Sequence, residues 1–116
     1  MHEMSIVTNV VRAVVAHADR GGARRVVKVT LVVGELHDIV DDLMERCFRY
    51  LARGTIAEGA SLELVKVPFK ALCQECGLAY AANLRDKATL VCPECGSTDF
   101  RIHNGNEFII RDIEVV

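Results

Sequence analysis

The most specific chemistry in this 116-residue chain lies in four of its five cysteines. Cys73 and Cys76 sit in CQECG and Cys92 and Cys95 in CPECG, two C-x2-C pairs with fifteen residues between them, a zinc-site spacing. Each two-residue gap lets the chain turn so that both sulfurs face one concavity, and Gly77 and Gly96 permit the backbone angles needed just after each turn. Zinc favours four thiolates at about 2.3 Å, and such a closed shell leaves no position for water, so the expected site is structural. A redox dithiol pair, a rubredoxin-like iron centre and four incidental thiols rank behind zinc, in that order. A thioredoxin-type CxxC should occur once, at the start of a helix after a strand, whereas both pairs here lie in a turn-rich stretch. Cys47 stands alone on an apolar helical face and reads as a small hydrophobe.

A second candidate is the opening Met1, His2 and Glu3. A free terminal amine, the backbone nitrogen of His2 and its Nδ1 form fused chelate rings in one plane, and tetragonal nitrogen coordination selects Ni(II) or Cu(II). The fourth corner is left for Glu3, another histidine or a receiving protein. Methionine removal normally requires a small second residue, so Met1 is expected to stay. On three residues alone, the plainer reading of His2 as a polar residue on a frayed terminus carries more weight. His17 beside an apolar stripe and His37 in a turn show no ligand pattern. His103, after the second cysteine pair, reads as a loop histidine; it becomes a further ligand only if the cysteine module leans over the N-terminus.

The elements that must position these residues follow from periodicity. Ile6, Val7, Val10, Val11, Val14, Val15 and Ala18 share one helical face, ended by Gly21 and Gly22. From Arg24 to Val33 the period becomes two, with Val27, Val29, Leu31 and Val33 on one side of a strand. Val40, Leu43, Met44, Cys47, Phe48 and Leu51 define a second helix, with Asp38 as its expected N-cap. Ser61 to Phe69 and Glu107 to Val115 read as further strands. The strand–helix–strand order predicts a parallel pair with a right-handed crossover. The expected architecture is α+β: a small mixed three-stranded sheet packed by two helices, with an inserted zinc-ribbon module. Residues 1–70 and 104–116 form the main domain and residues 71–103 the zinc-ribbon domain.

Composition bounds the function. With 51% hydrophobic and 26% charged residues the chain is globular, and a net charge of −2 gives it no general attraction for nucleic acid or an anionic membrane. Within the cysteine module Arg85, Lys87 and Arg101 are offset by Glu75, Asp86, Glu94 and Asp99. No apolar run approaches the ~18–20 residues that span a bilayer, and no signal-peptide pattern opens the chain, so a soluble cytoplasmic protein is expected. No nucleophile motif points to an enzyme.

Taken in order, the MHE start, VGEL after the first strand, GTIAEGASLELVKVP before CQECG, then CPECGS and NEFIIRDIEV resemble the HypA/HybF family of NiFe-hydrogenase maturation nickel metallochaperones. The resemblance spans essentially the whole chain. It implies a transferable Ni(II) at Met1, His2 and Glu3, a structural Zn(II) at Cys73, Cys76, Cys92 and Cys95, and no enzymatic activity. It also implies work in the cytoplasm with the GTPase HypB and delivery to the hydrogenase large subunit, with urease served by some members. Homo-oligomerisation is compatible with the sequence. The HDIV segment at residues 37–40 departs from the small residues many members carry there. A zinc-ribbon adaptor for nucleic acid or protein, without nickel transfer, is the competing reading.

Overall fold

The computed structural model describes residues 2–116, apart from the side chain of His2. Helix α1 (His2–Arg20) buries Val7, Val10, Val11, Val14 and Ala18, which recur at helical spacing and form one stripe. Strand β1 (Val26–Gly34) turns Val29, Leu31 and Val33 fully inward, as alternation predicts. Thr30 is buried as well, at 1% exposure, because β1 is the middle strand of a sheet and has neighbours on both sides. That sheet runs in the order β2-β1-β6, with β2 (Ser61–Val67) and β6 (Phe108–Val115) at its edges. The Arg24 and Arg25 amides donate to the Val116 carbonyl, while Gly34 N–H donates to the Glu107 carbonyl at 2.7 Å. The start of β1 therefore meets the end of β6, which makes the pair antiparallel. Lys28 Nζ and Glu63 Oε2, 2.7 Å apart, link β1 to β2.

Helix α2 (Asp41–Leu51) packs on α1 and buries Met44, Cys47 and Phe48. Its start differs from the sequence expectation. Asp38 does not cap the helix: it has a φ of 51° and follows a short 3-10 turn at Glu35–His37. Ile39 is drawn into the core at 8% exposure, so the chain turns regular only after Val40, which supplies no side-chain cap. Asp41 and Asp42 in the first turn complement the helix dipole instead.

The chain divides into two compact units. The helical unit comprises the chain up to Val32 with Asp38–Val65 and Ile109–Val116. The cysteine unit comprises Val33–His37 and Lys66–Phe108. Within the cysteine unit β3 (Lys70–Cys73) lies between β4 (Ala79–Ala81) and β5 (Phe100–Asn104), antiparallel to both. The strand expected to run from Ser61 to Phe69 stops at Val67, since Pro68 has no N–H to offer a ladder, and the chain resumes as β3. The core of this unit is Phe69, Ala71, Cys73, Tyr80 and Cys92, with Leu36, Leu78, Leu90 and Phe100 against it. Gly34 and Gly105 pack backbone to backbone here, and a Cβ at Gly34 would collide with the Gly105 carbonyl. Among the described residues no helix is long and apolar enough to cross a membrane.

Candidate metal centre

The two cysteine pairs are built by the same local device. Cys73 N–H donates to the Leu78 carbonyl at 2.8 Å and Gly77 N–H to the Cys73 carbonyl at 3.0 Å. The second turn repeats this, Cys92 N–H to Ser97 O and Gly96 N–H to Cys92 O, both at 2.9 Å. Each turn closes through a left-handed glycine, Gly77 at φ 78° and Gly96 at φ 74°, a conformation in which a Cβ would be strained. Gln74 N–H donates to the Asp99 carbonyl at 3.0 Å, tying the first turn to the segment after the second. The sequence therefore dictates each turn locally, and the β3–β5 pairing, with Cys73 opposite Phe100, brings the two together.

The four sulfurs lie within 4.8 Å of one another. Sγ of Cys73 is 3.5 Å from that of Cys95, and Sγ of Cys76 is 3.5 Å from that of Cys92. A tetrahedron with metal–sulfur bonds of about 2.3 Å has edges of about 3.8 Å, so this spacing suits one zinc-sized ion. The first cysteine of each pair is buried and the second exposed, which leaves the cluster at the edge of the unit's core. Backbone N–H groups, that of Cys76 above all, pull the Cys73 thiol down to about 6. The Leu78 N–H favours the Cys76 thiolate, yet the neighbouring sulfurs, Cys92 first, push that thiol up to about 12. Cys95 is raised in the same manner against the Ser97 N–H. One thiolate forms readily and opposes the next, and a divalent cation is the charge that lets all of them ionise together.

Tyr80 packs in the same core, and its hydroxyl is buried with no hydrogen-bond partner among the described residues. Burial, followed by the charge of Cys92 and Cys73, raises its pKa. Nothing in the sequence singled out Tyr80, whose position depends on the short pairing of Ala71 with Tyr80.

At the other candidate site, Met1 and the side chain of His2 lie outside the described residues. Glu3 is 6% exposed, and its Oε2 accepts from Val40 N–H at 3.4 Å. Sequence reading missed this contact between the opening residues and the segment before α2; the one available signal was a carboxylate facing an uncapped helix start. His17 and His103 are exposed, while His37 Nε2 lies 3.0 Å from the Asn106 carbonyl and its ring meets Phe108 edge-on at 5.6 Å. Cys47 is a buried member of the helical core, remote in sequence from both cysteine pairs.

Comparison with known proteins completes the assignment. The family model described as hydrogenase/urease nickel incorporation, metallochaperone, hypA matches residues 1–115. The hydrogenase maturation factor HypA of Dehalococcoides mccartyi is 40% identical over 115 residues, covering 99% of this chain and 94% of that one. Its counterpart from Rhodobacter capsulatus is 34% identical over the full length of both chains. A solution structure of HypA protein superposes with a TM-score of 0.74 at 25% identity, covering 100% of this chain and 97% of the other. The Ni metallochaperone HypA from Helicobacter pylori shares the fold, with a TM-score of 0.67 at 22% identity over 98% of this chain and 97% of that one. With the cysteine cluster in place and the match running nearly end to end, this chain belongs to the HypA family of metallochaperones for nickel incorporation into hydrogenase and urease.

Proposed function

We propose that the chain carries Ni(II) at its opening residues and delivers it during maturation of a NiFe-hydrogenase, while a zinc ion held by Cys73, Cys76, Cys92 and Cys95 stabilises the cysteine unit. The observation that carries this reading is the family match over residues 1–115, which includes Met-His-Glu at the start and both cysteine pairs. In this reading the Met1 amine, the His2 backbone nitrogen and His2 Nδ1 occupy one plane around nickel, a donor set suited to that ion. Buried Glu3 supports it, since its hydrogen bond to Val40 N–H anchors the chain next to the chelating residues. The chain acts as a carrier, not as an enzyme, and transfer proceeds by ligand exchange at the open corner of the nickel plane. Its partners are the GTPase HypB and the hydrogenase large subunit, met in the cytoplasm.

The two metals separate experimentally. Untagged protein should contain one zinc per chain by elemental analysis and should bind nickel in titration calorimetry. His2→Ala, or residues added before Met1, should abolish nickel binding and leave the zinc content unchanged. Nickel affinity that survives both changes rules out the N-terminal site. An adaptor without nickel transfer predicts no nickel binding by the unaltered chain.

A further inference from the structure

The exposed side of α2 carries a feature that neither metal explains. Arg46, Arg49 and Tyr50 stand at positions i, i+3 and i+4 of α2, and Arg53, in the turn just after the helix, continues their stripe. These four residues line a shallow concavity of about 200 Å³. Tyr50 is 58% exposed, unusual for so large a ring, and the Arg53 guanidinium sits over it, 4.3 Å from the ring centroid. Arg53 Nε also donates to the Tyr50 carbonyl at 3.3 Å, which holds ring and guanidinium together. Arg46 meets Asp42 at 3.3 Å in an exposed pair. No carboxylate pairs with Arg49 or Arg53 among the described residues.

We propose that this stripe docks a carboxylate-rich segment of a protein partner. Guanidinium groups match carboxylates in bidentate geometry, and an exposed tyrosine with a stacked arginine supplies area at little entropic cost. The chain as a whole is acidic, at net −2, so the cluster is a local reversal of sign that complements an acidic segment and repels basic ones. The exposed acids of the same helix, Asp41, Asp42 and Glu45, lie towards its N-terminal end and interrupt the positive track that a nucleic acid backbone would need. A concavity of this size admits one or two acidic side chains.

The test uses the full chain in nickel-free buffer, so that its outcome is independent of the N-terminal metal site. The probe is fluorescein-labelled hexaglutamate, followed by anisotropy. Saturable binding is expected, weakened about tenfold by Arg49→Glu/Arg53→Glu and several-fold by Tyr50→Ala, roughly the loss of two solvent-exposed ion pairs and of one cation–π platform. Arg49→Gln/Arg53→Gln should lie between, and circular dichroism of each variant should match the parent because all of these side chains are exposed. Arg12→Glu/Arg101→Glu, the same change in net charge made on α1 and β5, should leave binding within twofold. The proposal is overturned by an absence of saturable binding up to about 1 mM, the weak end of specific recognition. It is equally overturned if the α1/β5 pair loses as much as the Arg49/Arg53 pair, or if an oligothymidylate of equal charge competes as well as the peptide.

Discussion

In the helical unit the largest fully buried side chains include Phe48, Leu31, Met44 and a set of valines from α1 and β1. In the cysteine unit the buried cluster around the sulfurs is Phe69, Ala71 and Tyr80 together with Cys73 and Cys92, two of its own candidate ligands. The first set removes a large apolar area from water at about 25 cal/mol per Å². The second removes less, because its short strands of three to five residues contribute few packed side chains. On the function proposed above, the source of order differs as well: hydrocarbon in one unit, a zinc-bound four-sulfur cluster in the other. The difference extends to function, since an ion needed for folding must stay, whereas an ion to be delivered must be held by groups that can let go.

The sharpest way to break this comparison is to remove the sulfur cluster. Cys92→Ala, or a strong chelator, should cost the cysteine unit on the order of 10 kcal/mol, the apparent contribution of a structural zinc. Amide NMR signals from residues 70–104 should collapse to the unfolded range while those of Val7 to Ala18 keep their dispersion. Retained dispersion throughout residues 70–104 in metal-free protein would falsify the division of labour.

The converse change attacks the hydrocarbon side. Phe48 is 1% exposed in the helical core, so Phe48→Ala should destabilise that unit by about 3–5 kcal/mol, read as a lower urea midpoint. Zinc content should not change. Loss of zinc in this variant would mean that the two sources of order are one.

The third contrast is between the two metals in acid. An α-amine near ~7.7–8.0, an imidazole near ~6.5 and the His2 backbone N–H must all lose a proton to bind nickel, so affinity should fall with falling pH, by up to roughly a thousandfold per unit below about pH 6.5. Titration calorimetry from pH 8 to about pH 5.5 measures this directly, with zinc retained across the same range because four thiolates hold it. Nickel affinity that stays flat over that interval would place the exchangeable ion on ligands already ionised, such as carboxylates.

Much of the helical unit was legible in the chain itself. The α1 stripe, the inward face of β1 and the apolar side of α2 all stand out because each runs long enough for its period to rise above chance. β3, β4 and β5 were not legible, since three to five residues cannot establish a period of two. The start of α2 was misjudged at Asp38: a capping residue type stood in a suitable place, but burial of Ile39 set the backbone there. Thr30 looked outward by alternation and is buried because β1 lies between two strands.

The spacing of Cys73, Cys76, Cys92 and Cys95, and the glycine after each pair, set the two turns without help from the rest of the molecule, because a C-x2-C turn closes through bonds within its own few residues. Whether both turns would face a common point depended on β3 pairing with β5, a contact between residues some thirty apart that no local pattern encodes. The same holds for Glu3, whose type was plain from the start but whose burial and bond to Val40 exist only once α1 has packed on α2. Local bonding rules act on neighbours along the chain, and the convergence of distant groups is decided by which surfaces bury each other.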